Sequence, residues 1–396
     1  MNSQLTSRSA LILIIIAQFL GTSLWFAGNA VAPEISFLLG RTEILATITS
    51  VVQFGFILGT LVFAIFSVPD RFSPSRVFFI SSILAATFNL LIIILPLQLS
   101  TVLACRFMVG FFLAGIYPVG MKIAADYFQK GLGSALGFLV GALVLGTAFP
   151  HLLKGLDLNL SWKLVLGLTS ALALLGGLLI GLIVPIGPFH NRNAKFDIGI
   201  LPKLSKIREL KSAASGYFGH MWELYTYWAF VPVLILYFSQ GEIMDSEVSL
   251  LSFFVIAIGG VSCAVGGIIA QRKGSRFVAQ FALVGSGVCC VLVLFVGGMP
   301  SWIWIGLLLI WGILITADSP QFSTLVAQSV PSEYRGTALT LVNSIGFALS
   351  IVSIQATQVL LQWIEIDQTL ALLFVGPVVG VGLFRVYHKK ASLEMA

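Results

Sequence analysis

Residues 110–118 read GFFLAGIYP, and residues 312–320 read GILITADSP. Both lie in long apolar runs, and in both a glycine and a proline stand eight residues apart. Downstream, GSAL from Gly133 follows the first stretch and GTAL from Gly336 follows the second, at nearly the same distance. A second echo joins DRFSPSR from Asp70 to QRKGSR from Gln271. Matched segments in corresponding halves of an apolar chain are the mark of internal duplication. These stretches therefore predict two half-molecules of like topology.

Composition sets the solvent around them. Of 396 residues, 58% are hydrophobic and 10% are charged, whereas soluble domains carry about 25% charged residues. A helix needs about 20 apolar residues to cross the hydrocarbon layer. Twelve segments qualify: 9–32, 43–68, 76–96, 101–127, 132–153, 162–186, 210–239, 247–270, 277–299, 301–328, 337–363 and 368–387. The first is longer than a signal-peptide core and lacks a clear cleavage site, so it reads as a true span. Cys105, Cys263, Cys289 and Cys290 all fall in apolar runs without metal-ligand spacing, and they read as small hydrophobes.

The net charge of +6 belongs to topology rather than to nucleic acid. With both termini on the cytoplasmic side, that side holds Arg8, Arg71, Arg76, Lys130, Arg192, Lys195, Lys203, Lys206, Arg208, Lys211, Arg272, Lys273, Arg276, Arg335, Arg385, Lys389 and Lys390. The other side holds Arg41, Lys154 and Lys163, while Arg106 and Lys122 lie within spans. This is a positive-inside distribution. The longest polar stretch, 189–208, divides the chain into a six-span bundle at 1–188, a cytoplasmic linker and a second six-span bundle at 209–396.

With these motifs in place the chain resembles the major facilitator superfamily over its whole length. Asp70, Arg71 and Arg76 match the family's loop between the second and third spans, with Ser73 and Phe66 where glycines are usual. Arg106, Gly110 and Gly115 match the fourth-span pattern. Gly137 and Gly146 match part of the fifth-span antiporter motif, but Pro150–His151 stands where Gly–Pro is usual, which weighs against a drug antiporter. The resemblance implies an all-α membrane protein of twelve transmembrane helices in two pseudo-symmetric bundles. It also implies a central site lined by spans 1, 4, 7 and 10 and reached alternately from each side. Asp126 meeting Arg76 would help latch one state, and Asp70, Arg71, Arg76, Asp126, Arg272 and Arg335 are the gating candidates.

Helical phase, at about 100° per residue, nominates the site residues. Gln18, Thr22, Trp25 and Asn29 fall on one face of the first span, either toward a cavity or as glue between helices. In the fourth span Arg106, Gly110, Leu113 and Tyr117 align, while Lys122 and Asp126 lie opposite at i, i+4 and read as a structural pair. Arg106 reads either as an anion site or as a donor to carbonyls of a neighbouring helix. Asp318 in the tenth span shares a face with Trp311, and an ionisable residue at that depth is by default a functional candidate.

In the seventh span, GHMWELYTYWAF, residues His220, Glu223 and Tyr227 lie within about 60° of one another. Burial disfavours a charged carboxylate and nearby cations favour it, so Glu223 with His220 and Asp318 forms the proton-coupling set. The alternative is that His220 merely satisfies Glu223. Gln18, Trp25, Asn29, Arg106, Tyr117, Tyr227, Trp311 and Asp318 are the substrate candidates. The glycines of the fifth span (Gly133, Gly137, Gly141) and of the eighth (Gly259, Gly260, Gly266, Gly267) read as helix contacts or hinges.

The GxxxxGK[ST] pattern and catalytic constellations are absent from the sequence. The expectation is therefore a non-enzymatic secondary transporter without cofactor or metal, working as a monomer in a bacterial-type inner membrane. It would move a small polar or organic solute with protons, leaning to uptake of an organic anion. Export of cationic or amphiphilic compounds, to which the aromatics would contribute, and a non-transporting receptor or scaffold are the alternatives.

Overall fold

The computed structural model describes residues 6–41, 44–128, 132–156, 160–190 and 198–395. Lys130, Arg192, Lys195 and the 191–197 stretch of the 189–208 linker lie outside the described residues. Helix and turn make up the described chain, with no strand among the described residues. Eleven described helices are long and apolar enough to cross a membrane, and Ser7–Thr22 is a shorter apolar helix. We number them α1 (Ser7–Thr22), α2 (Leu45–Ile65), α3 (Pro74–Ile94), α4 (Leu99–Tyr127), α5 (Ala135–Gly155), α6 (Trp162–Ile183), α7 (Arg208–Phe238), α8 (Asp245–Lys273), α9 (Ser275–Phe295), α10 (Ser301–Gln328), α11 (Arg335–Leu360) and α12 (Ile366–Lys390). Helix is what a bilayer demands of an apolar chain, because backbone groups there find no water and must bond within their own segment.

Three breaks bear on the site, and the sequence shows why for two. α4 consists of Leu99–Leu113 and Tyr117–Tyr127, and α10 of Ser301–Ala317 and Ser319–Gln328. Pro118 and Pro320 stand in the first turn of each second half. A proline lacks the donor for an i−4 carbonyl and its ring clashes there, yet it is tolerated at a helix start. The Gly–Pro repeat is thus a repeated helix break. The third break follows α1, where Ser23–Phe26 forms turns before the short helices Ala27–Ala30 and Ala32–Leu38. The expected straight first span of 9–32 ends early for this reason.

The chain divides into two compact units, Met1–Ala194 and Lys195–Ala396. In the first, Gly55 and Gly59 of α2 lie on the Phe107 and Phe111 carbonyls of α4, and Gly110 returns the contact on Val52. In the second, a methyl on Gly219 of α7 would stand 2.5 Å from the Gly376 carbonyl and 2.9 Å from the Gly380 Cα of α12. Small residues let helix backbones approach this closely in lipid. The glycines expected as contacts divide: Gly259 packs on Thr316 and Gly266 on the Ala317 carbonyl, but Gly133 and Gly267 meet nothing within 4 Å among the described residues.

Candidate functional site

The second unit buries two carboxylates completely, each handled differently. Glu223 on α7 is fully buried. It accepts hydrogen bonds from Trp311 Nε1 of α10 at 2.5 Å, Ser286 Oγ of α9 at 2.9 Å and Cys290 Sγ at 3.4 Å. All three donors are neutral. The Ser286 hydroxyl also lies 3.1 Å from the Leu283 carbonyl, so its one proton has two acceptors within reach. When Glu223 is charged, Ser286 donates to it; when Glu223 carries a proton, Ser286 can turn to Leu283 and accept from the carboxyl. The site accommodates either protonation state without leaving a buried group unpaired, which matters because such orphans are costly.

One turn earlier on α7, His220 Nδ1 lies 2.8 Å from Asp318 Oδ1, and both side chains are fully buried. The contact has an ion pair's distance without a hydrogen bond's alignment. No atom of the imidazole or of this carboxylate meets a well-aligned donor or acceptor among the described residues. Asp318 occupies the break of α10, as cap to both halves, and the Tyr217 and Phe322 rings flank His220 at 5.8 and 6.2 Å. A loosely satisfied acid–imidazole pair thus sits beside a fully satisfied acid. Tyr227 bonds the Leu308 carbonyl at 2.8 Å and stacks on Trp311 at 4.3 Å, holding that indole against Glu223.

The first unit buries a cation instead. Arg106 on α4 is fully buried. It donates from Nη2 to the Trp25 carbonyl at 2.5 Å, and from Nη1 to the Leu24 carbonyl at 3.1 Å and Asn89 Oδ1 at 3.2 Å. Leu24 and Trp25 are in the turn that ends α1, where helical carbonyls lose their partners and the dipole is negative. Asn89 of α3 spends its amide nitrogen on the Leu166 carbonyl, Thr169 and Ser170 of α6, so one network joins four helices. Gly28 passes so close that a methyl there would stand 2.8 Å from Arg106 Nε. Arg106 has no carboxylate at ion-pair distance, and Nε no hydrogen-bond partner, among the described residues.

Several expectations change. His220 pairs with Asp318 rather than Glu223, because α10 breaks at Asp318 and brings it to that face of α7. Lys122 and Asp126 do not form their i, i+4 pair. Lys122 bonds Asp70 at 2.6 Å, and Asp126 pairs with His190 Nδ1 at 2.6 Å instead of meeting Arg76. The chain after α6 closes over the end of α4, with the Phe189 amide donating to the Asp126 carbonyl, and this supplies the nearer partner. Arg71, Arg76, Arg272 and Arg335 are exposed. The helical phase of Gln18 and Thr22 does not extend to Trp25 and Asn29, nor that of Arg106 to Tyr117, since a break intervenes in each case.

Gln18 is buried with neither amide atom hydrogen-bonded among the described residues. Trp25 is buried against the Phe56 ring at 4.8 Å, Asn29 donates to Thr49 at 2.7 Å, and Tyr117 is half-buried. Three partners of these buried charges escape a reading of the sequence: Asn89 for Arg106, and Ser286 and Cys290 for Glu223. Asn89 is an amide alone in an apolar run, which is a legible signal. Ser286 and Cys290 stand at i, i+4 on α9 but are too common in membrane helices to single out.

Long apolar helices, polar networks buried in lipid-embedded bundles and Gly–Pro breaks at matching places in two halves define a membrane transporter. A family model of the Major Facilitator Superfamily matches residues 11–354, and the chain belongs to that superfamily. It is a secondary transporter embedded in the membrane and not an enzyme. "MFS-type transporter acdC" of Aspergillus candidus is 30% identical over 147 residues, which span 36% of this chain and 28% of that protein. A solved bacterial homolog to the human lysosomal transporter Spinster, inward-facing and occupied, is similar over 98% of both chains. Its TM-score is 0.68 at 13% identity, a likeness of fold alone.

Proposed function

We propose that this transporter couples the movement of a small organic solute to protons by alternating access, with Glu223 and the His220–Asp318 pair as the proton-carrying groups. The observation that carries this reading is the Ser286 hydroxyl between Glu223 and the Leu283 carbonyl. A purely structural acid needs no such exchangeable partner, whereas one that loads and releases a proton does. A receptor or scaffold would likewise have no use for two acids at this depth, where an ionisable group costs several kcal/mol.

For the solute, an organic anion taken up with protons is the favoured class. Arg106 is a buried cation whose partners are dipoles, and removing a charge from water is offset in full only by a counter-charge of good geometry. Lys122, already tied to Asp70, adds nothing to this reading. Of the carboxylates that would attract a cationic solute, Glu223 is engaged by three donors and Asp318 already faces His220 within its own unit. We place solute contact at the broken stretches: in the first unit those of α1 and α4, with Gln18, Trp25, Asn29, Arg106 and Tyr117, and in the second unit that of α10, with Asp318, because interrupted helices mark transporter sites. Asp70, Asp126 and the exposed arginines 71, 76, 272 and 335 belong to conformational gating in this reading. The protein would act as a monomer in a bacterial-type inner membrane, with both termini cytoplasmic.

The test is counterflow in proteoliposomes against a panel of organic acids and amines, with and without a pH gradient. Gradient-driven accumulation of an acid supports the proposal; accumulation that ignores the gradient overturns proton coupling. An amine as the accumulated solute overturns the anion assignment.

A further inference from the structure

At the end of α12 the second unit gathers basic side chains from three helices. Arg208, at the start of α7, donates to the Lys390 carbonyl at 3.1 Å. Its neighbour Glu209 accepts from Arg276 of α9 at 2.9 Å and faces His388 Nδ1 at 3.3 Å. The Arg276 guanidinium lies 4.7 Å over the Phe384 ring and the Lys211 ammonium 5.8 Å over the Tyr387 ring. With the Gln280 amide oriented to accept, Arg385 Nη2 bonds it at 2.9 Å.

Glu209 is therefore occupied twice over by Arg276 and His388. Lys206, Lys211, Arg385, Lys389 and Lys390 are all exposed and have no acidic partner among the described residues. Immediately inward the surface turns apolar. Val378, Val379, Leu383 and Val386 of α12 and Phe277 and Phe281 of α9 are exposed, and such side chains at a span face acyl chains. The cations thus sit at the depth where an apolar face gives way to headgroups. Setting orientation requires only that Lys and Arg be near the span ends; it does not require convergence from three helices onto one saturated acid beside an aromatic anchor. Clusters of four to eight basic residues next to a span are the recognised mark of anionic-lipid binding.

We propose that Lys206, Lys211, Arg385, Lys389 and Lys390 form a binding site for the phosphate headgroup of an anionic phospholipid in the leaflet on that side. The acyl chains lie along the exposed faces of α9 and α12. The site is independent of solute, direction and proton coupling, so it stands or falls apart from the transport proposal.

The experiment compares the full-length protein with K211Q/R385Q/K389Q/K390Q and with R41Q/K163Q, which removes charge elsewhere. Native mass spectrometry counts retained phosphatidylglycerol, and thermal unfolding in detergent is followed as phosphatidylglycerol, phosphatidylcholine or glycerol phosphate is added. The expected result is retention and stabilisation by phosphatidylglycerol alone. Apparent affinity should be at least tenfold weaker in the quadruple variant and unchanged in the control. Equal affinity in the quadruple variant, equal stabilisation by phosphatidylcholine, or the same effect from glycerol phosphate overturns the proposal. Should the quadruple variant unfold, loss of retained phosphatidylglycerol from the wild-type protein between low and high salt decides instead, because an electrostatic site is screened. Retention unaffected by salt overturns it.

Discussion

The two units share a topology and a helix break, but the charges they bury completely are opposite. In the first, α4 breaks through Ala114–Ile116, which carries no ionisable group, and the buried charge is Arg106 higher on the same helix, held by the carbonyls that end α1. In the second, α10 breaks at Asp318, an acid paired with His220, and Glu223 lies a turn along α7 among neutral donors. The repeated proline creates the same local defect in both. The surrounding residues then decide what is buried: a cation capped by dipoles in one unit, two acids in the other.

That contrast can be broken by experiment, beginning with the largest effect. Glu223→Gln should reduce pH-gradient-driven accumulation to simple equilibration while counterflow continues; retained accumulation would remove Glu223 from the coupling set. Arg106→Leu should destabilise the first unit by about 3–5 kcal/mol, the scale for orphaning the partners of a buried charge, as read by thermal unfolding. Arg106→Lys should recover part of that stability yet lose transport of acids. Full transport by the lysine variant would make Arg106 a structural cap alone.

Gly219→Leu tests the packing that holds α7 in place, and overpacking of this kind costs about 1–3 kcal/mol. An unchanged melting temperature would mean that α12 moves aside freely. Ser286→Ala should leave stability within about 1 kcal/mol but weaken gradient-driven accumulation severalfold, and unaltered coupling would dismiss the hydroxyl as a proton-dependent partner. His190→Gln is the smallest expected change, about 0.5–1.5 kcal/mol, because glutamine keeps a donor for the buried Asp126 carboxylate near the end of α4. A larger loss would show that Asp126 depends on the imidazole for more than this contact.

The sequence shows its span count and its duplication openly, because both are one-dimensional: an apolar run is long enough or it is not. The Gly–Pro stretches likewise announced correspondence between α4 and α10, although not that the correspondence was a fracture. Azimuth was the weaker guide. Phase grouped Gln18 with Asn29 and Arg106 with Tyr117 on the assumption of unbroken helices, and each pair straddles a break. Local spacing favours Lys122 with Asp126, but each side chain takes the nearest partner in space, Asp70 for Lys122 and His190 for Asp126.

From its residue order alone this protein is a lipid-embedded, duplicated helical chain with acids and a guanidinium at hydrocarbon depth, since transfer cost and helix length depend on composition along the chain. The pairing of His220 with Asp318, of Glu223 with Trp311 and Ser286, and of Arg106 with the end of α1 came only from the folded bundle. Hydrogen bonds are short and directional, so a partner on another helix is chosen by where breaks and glycine crossings set that helix, to within an ångström or so.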